Sequence, residues 1–225
     1  MNHKVAILRI ALAITVFFFA ACSSTGRTSF LLFGGSKDAE EALVDSVRSA
    51  RTEQAQSQED FSAAFRLFQR LTAPQAVELE ELDSELEDLI DECDEAAEQL
   101  RERILEIRTD SSTLFTEWKA ELEHFSGEAL RKKSESMLVD TEERSQRVIA
   151  ALERVQGKME PVLLKFHDYE LFFNHNLNPR AIATLEDTYD DFEQELDALN
   201  EEITRSLNEM NSFLGRLEGS LNARE

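Results

Sequence analysis

The residues with the widest chemical scope in this chain are few: four histidines, two cysteines and one tryptophan among 225 residues. Helical bundles can hold a di-metal centre, but that chemistry needs two Glu-x-x-His pairs and two further inward carboxylates. Glu121-Leu122-Glu123-His124 fits the pair, and no second copy exists. With 46 Asp and Glu residues in the chain, one match is what chance supplies. His167 and His175 stand near one helix end, eight residues apart, and could share a ligand only if that helix bends. Among so many aromatic neighbours they read instead as satisfied polar groups beside packing. Gly-rich phosphate loops, an exposed nucleophile motif and a Cys-x-x-Cys pair are all missing from the sequence. Cys93 falls on an apolar seam, where a thiol behaves as a small buried hydrophobe. No catalytic residue, metal site or cofactor is expected.

Histidines and aromatics are densest between Pro161 and Leu185, where one long helical pattern stops and another begins. His175, Asn176, Asn178, Pro179 and Arg180 read as a structural turn rather than as a reactive site. Asn178 is suited to cap a helix N-terminus and Pro179 to its first position.

The elements around this stretch are charged and helical. Charged residues make up 31% of the chain, hydrophobic ones 42%, and only seven Gly and three Pro punctuate it, which is the composition of long helices. A formal net charge of −22 argues against nucleic acid, whose phosphates require Lys and Arg. Residues 1–21 read as a signal peptide: Lys4 and Arg9 give the positive end, Ile10 to Phe19 an apolar run too short to span a bilayer, and Ala20-Ala21 a small-residue cleavage site. Cys22 directly after that pair resembles the bacterial lipobox, with Phe19 where Leu is usual. The resemblance implies lipidation of Cys22 and attachment to the membrane through the lipid. Ser23, in place of an Asp, implies sorting to the outer membrane, facing the periplasm. Loss of Lys4 and Arg9 on cleavage takes the net charge from −22 to −24.

Residues 22–36 read as the lipidated N-terminus and a linker. Its apolar island Phe30-Leu31-Leu32-Phe33 is expected to staple against the first helix or, on a second reading, to lie at the membrane face. A helical bundle is expected over 37–219, with a frayed tail at 220–225. Asp38 and Glu41 form a plausible capping pair for the first helix. Leu43, Val47, Ala50, Gln54, Ser57, Phe61, Ala64, Phe68 and Leu71 then alternate steps of four and three, a heptad seam with a weak polar centre. Pro74 should end that helix. A second helix is predicted from about Gln75 to Phe125 and a third from Glu128 to about Asn174, kinked at Pro161. The third seam opens on Leu130 and Met137 and strengthens through Val162, Phe166, Tyr169 and Phe173. The fourth follows Pro179, with Ile182, Leu185, Tyr189, Phe192, Leu196, Leu199, Ile203, Ser206, Met210, Phe213 and Leu217 on one seam.

Short turns force each helix antiparallel to the one before it. The lengths then predict an elongated antiparallel all-α bundle of four long helices, with a two-helix hairpin near Ser111–Asp140 projecting roughly 20 Å. Phe115, Trp118 and Phe125 on that hairpin are candidate contacts for a protein partner, unless self-association or a bent hairpin shields them. Between Glu78 and Glu98 stand twelve acidic residues and no Lys or Arg. That run reads as a solvated face, with a basic partner or loose divalent-cation binding as the other readings, and Arg131, Lys132, Lys133, Arg144, Arg147 and Arg154 are expected within its reach.

Glu160-Pro161-Val162-Leu163, Phe166, Asp168, Leu171-Phe172, His175-Asn176-Leu177-Asn178, Arg180-Ala181-Ile182-Ala183 and Leu185 resemble the signature segment of an uncharacterised bacterial family of exported helical lipoproteins. Leu43 to Val47, Leu114-Phe115 with Glu117-Trp118, and Leu130-Arg131 with Ser134 are similar to it too. The resemblance implies a helical fold and export, and brings no activity with it. The reading that follows is a scaffold or adaptor acting by helical contacts. Its alternative is a binding module that holds an apolar or lipid-like ligand between helices, at the polar centre of the first helix and the aromatics after Pro161.

Overall fold

The computed structural model describes residues 37–73, 76 and 78–222. The signal-like segment, Cys22, the Phe30–Phe33 island, Pro74 and residues 223–225 lie outside the described residues. The described elements are all helical: α1 (Lys37–Leu71), α2 (Leu79–Leu122), α3 (Glu128–Asn176), the single turn α4 (Pro179–Ile182), a 3₁₀ segment over Ala183–Thr188, and α5 (Tyr189–Asn222). Helix α1 packs against α2 and α5, and α3 packs against the same two, so the four long helices form an antiparallel square.

Each long helix turns its heptad stripe inward. All nine predicted seam residues of α1 are buried, including the polar centre Gln54 and Ser57. Lys37 already belongs to the helix, so Asp38 lies in the first turn, where its charge suits the N-terminal dipole, and Glu41 pairs with Lys37 at 3.2 Å instead of capping. Helix α2 starts at Leu79, later than predicted, because Glu78 before it adopts a left-handed conformation at φ 59°. Helix α3 runs through Pro161 to Asn176. Its early seam differs from the expected one: Leu130 is exposed and Met137 half-buried, while Ser134 and Leu138 take the inward places. Helix α5 buries Phe192, Leu196, Leu199, Ile203, Ser206, Met210, Phe213 and Leu217 as predicted and continues to Asn222, past the residue where fraying was expected.

The predicted 20 Å hairpin is largely absorbed into the bundle. Glu53 of α1 binds Arg103 of α2, so counting back sixteen residues brings Lys37 level with Lys119, near the end of α2 at Leu122. Glu202 of α5 binds Arg154 of α3, and counting on twenty residues brings Asn222 level with Ser134. Only about six residues of α3 then overhang, roughly 9 Å. The reason is the connection after Leu71: it takes seven residues to reach Leu79 and lets α1 lie further along α2 than a tight turn would.

Candidate functional site

At the end of the bundle where α3 gives way to α5, Phe65 and Phe68 of α1, Phe166, Tyr169 and Phe173 of α3, and Tyr189 and Phe192 of α5 form one aromatic block. Phe68 and Tyr169 have ring centroids 4.4 Å apart, Phe166 and Phe192 4.8 Å, and Phe65 and Phe192 5.2 Å in an edge-to-face contact. Such pairs add about 0.5–1.5 kcal/mol each beyond the area they bury. Burial, with Glu193 nearby, pushes the Tyr189 phenol up to about 12. These rings pack against one another across three helices, and Tyr189 also borders the cavity beside the end of α1.

The turn over this block is built by its asparagines. Asn176 Nδ2 donates to Phe172 O at 3.0 Å, and the Asn176 carbonyl accepts from Asn178 N at 2.7 Å. Asn178 Oδ1 accepts from Ala181 N at 3.1 Å, the N-cap bond, and Pro179 takes the first helical position. His175, Asn178, Pro179 and Arg180 are exposed and Asn176 is half-buried. The new helix starts in pieces, one α-turn and then the 3₁₀ segment, before α5 proper begins at Tyr189.

His167 and His175 do not converge. Eight residues of continuous helix put them roughly 12 Å apart along the axis. His167 Nε2 lies 3.0 Å from Asp94 Oδ2 on α2, and its Nδ1 lies 3.3 Å from Glu170 Oε2. Burial opposes the charged ring, but the bond to Glu170 and the charge of Asp94 outweigh it, so His167 titrates above its ordinary value. Asp83 is raised as well, by burial and then by the neighbouring carboxylates of Glu87 and Glu170. Among the described residues no group of three or more His, Cys, Asp or Glu is placed to hold a metal ion. Glu121 and His124 lie exposed at the end of α2 and beyond it. Cys93 is fully buried, and burial raises its thiol far above the ordinary range, with Asp60, Asp94 and Glu92 adding to the effect.

The basic residues of α3 do not answer the acidic run of α2. Antiparallel register sets Ser145 against Ser111, and Asp94 meets His167, so the basic residues between Arg131 and Arg154 stand further along the bundle than Glu78 to Glu98. Arg131 and Lys132 pair with Glu128, and Arg144 with Asp140. Arg154 crosses to α5, where its Nε lies 2.6 Å from the carboxylate of Glu202. Glu202 is 5% exposed and also bonds Arg205 at 2.7 Å.

The hairpin aromatics are not an open contact site in the single chain. Trp118 is 1% exposed and Phe115 6%, while Phe125 is half-buried. The Trp118 indole donates its Nε1–H to Ser134 Oγ at 2.9 Å, and beside it the hydroxyls of Ser111 and Ser145 meet at 2.6 Å across α2 and α3. Leu164 and Leu171 take the outer place instead, 60% and 63% exposed on the surface of α3 that carries His167. Helical spacing marked Val162, Phe166 and Phe173 as inward, but neither Leu164 nor Leu171 was singled out as a contact, although the same spacing keeps both off the seam.

These features define an all-α protein: a four-helix antiparallel bundle with an aromatic end and a closed, partly polar interior. The chain belongs to the family described as Protein of unknown function (DUF2959), which it matches over residues 33–217. No curated protein and no solved structure matches it. Among the described residues, no helix is long and apolar enough to cross a membrane.

Proposed function

We propose that this protein is an envelope lipoprotein, lipidated at Cys22 and held at the outer membrane facing the periplasm, that works by contact as a non-catalytic scaffold or adaptor. The observation that carries the contact reading is the pair Leu164 and Leu171, two large apolar side chains seven residues apart on the outside of α3. Their neighbours on α3, His167 and Glu170, reach the acidic run of α2, where Asp83, Glu87 and Asp94 crowd without a Lys or Arg among them. Apolar anchors rimmed by carboxylates suit a basic amphipathic surface, with the leucines supplying the buried centre and the carboxylates the steering. A photo-crosslinking residue placed at 171 in the lipidated protein should give an adduct in envelope membranes, and Leu164→Ser should weaken it. An adduct only with a second copy would make the role self-association, and no adduct would remove this surface. Palmitate labelling should disappear in Cys22→Ala; incorporation that survives the change removes the anchor.

A second reading, an apolar or lipid-like ligand, is favoured by one feature. A cavity of about 280 Å³ opens between the end of α1 and the corner, lined by Leu71, Thr72, Leu79, Ile182, Leu185 and Tyr189. The polar centre of α1 does not share in it, for the void there is about 10 Å³. Mass spectrometry of the purified protein separates the readings: a co-purifying lipid lost in Thr72→Trp supports the ligand, and its absence leaves the contact role.

A further inference from the structure

Halfway along α1 the seam turns polar. Gln54 and Ser57 are each 3% exposed, and neither the Gln54 Nε2 and Oε1 atoms nor Ser57 Oγ has a hydrogen-bond partner within the chain. Buried polar atoms in native proteins are nearly always satisfied, by protein or by ordered water. Three such atoms one turn apart need a partner that the chain does not supply.

The two residues line a common void between α1 and α2. Ala50, Ala96 and Leu100 complete its apolar walls, and Glu53 and Arg103 its outer side. Those two form a clasp across the helices: Arg103 Nε lies 2.8 and 3.1 Å from the Glu53 carboxylate oxygens and its Nη2 2.9 Å from one of them. Glu106 holds the other end of the guanidinium. The void measures about 10 Å³. Space on that order admits one water molecule where polar groups line it, while a small void walled only by apolar side chains stays dry.

We propose that Gln54 and Ser57 hold a single buried water between α1 and α2, closed in by the Arg103–Glu53 clasp. A primary amide presents one N–H and its C=O side by side, so one water accepts from Gln54 Nε2 and donates to Gln54 Oε1. Its second hydrogen is free for Ser57 Oγ, which satisfies all three atoms at once. Ser206 on α5 also lacks a partner, but it does not border this void and is no part of the site. The water gives α1 a position on α2 that a purely apolar seam would not. Sliding α1 by a heptad would carry Gln54 away from its hydrated place and leave it against hydrocarbon, as a lone polar seam residue does in coiled coils.

The test is water-to-amide NOE and ROE spectroscopy on the full chain in detergent micelles, observing the Gln54 side-chain amide. Opposite signs of the two effects, which mark a water held for nanoseconds or longer, are expected in the native protein. They should vanish in Ser57→Val, which fills the void while leaving the Gln54 probe intact. Should that variant not fold, Ala96→Val fills the same void from α2. Absence of a held water in the native protein, or its persistence in a folded filling variant, overturns the proposal.

Discussion

Replacing Ser134 by Ala should cost far more than a serine on a helix surface. Ser134 is 4% exposed, and its hydroxyl is the acceptor for the indole N–H of Trp118, itself 1% exposed, at 2.9 Å. Removing the acceptor strands a buried donor, which costs about 1–3 kcal/mol rather than the smaller net value of the bond itself. At about 1.4 kcal/mol per factor of ten, the unfolded population should rise roughly 5- to 150-fold. Ser136, two residues on and exposed, is the control, and its Ala variant should stay within about 0.5 kcal/mol of the parent. Urea unfolding followed by far-ultraviolet circular dichroism gives the loss. Trp118 is the only tryptophan in the chain, so its emission reports the site directly. Native emission should be that of an indole out of water, shifting red only with the unfolding transition. Trp118→Ala should be more severe, about 3–5 kcal/mol. Equal midpoints for Ser134→Ala and Ser136→Ala, or a native indole already in water, would refute the buried pair and restore Trp118 as a surface contact.

At the corner, Asn178→Ala should cost about 1 kcal/mol through the lost N-cap bond to Ala181, measured by urea unfolding, while the exposed neighbour Arg180→Ala should lie within about 0.5 kcal/mol of the parent. In a Cys22→Ser background Cys93 should resist a thiol reagent until the bundle unfolds, since it is buried and its thiolate is strongly disfavoured; rapid native modification would contradict that burial. His167 should give the bundle a pH dependence of definite sign. Its folded pKa is raised, so its contribution is fully present below its unfolded value of about 6.5 and is lost as pH rises through the folded value. The gap in urea midpoint between the parent and His167→Gln should therefore be wider at acid than at alkaline pH and shrink with salt; a gap that widens on going alkaline refutes the ion pairs with Asp94 and Glu170.

Much of this fold is written as spacing. The seams of α1 and α5 could be read residue by residue, because a strict alternation of threes and fours with apolar side chains has one interpretation. The corner was equally plain at Asn178-Pro179, where an N-cap and a first-turn proline stand together. The 3₁₀ start of the last helix was not, since Ile182, Leu185 and Tyr189 keep nearly the same spacing in either helix. Seams made of polar pairs escaped as well. Ser134 and Ser145 look like surface residues until Trp118 and Ser111 arrive opposite them, and Glu202 looks solvated until Arg154 and Arg205 enclose its carboxylate.

The longitudinal register was the largest quantity missing from the sequence pattern, and it decides what the surface offers. A heptad seam is satisfied equally well by any shift of seven residues, so apolar periodicity could not say how far α1 lies along α2. Polar contacts could: Arg103 with Glu53, Arg108 with Glu153, and Trp118 with Ser134 each fix one helix against another. Once those are set, Phe115 and Trp118 fall under cover and the hairpin loses most of its overhang. The same register carries the basic residues of α3 past the acidic run of α2 and leaves Asp83, Glu87 and Asp94 to face Glu170 and His167. A few specific polar pairs, weak as energy, thus choose which charges stay unneutralised and which leucines stay outside. Exposed ion pairs supply only about 0–1 kcal/mol each, so their weight here lies in selecting one alignment from several that the apolar seams would accept.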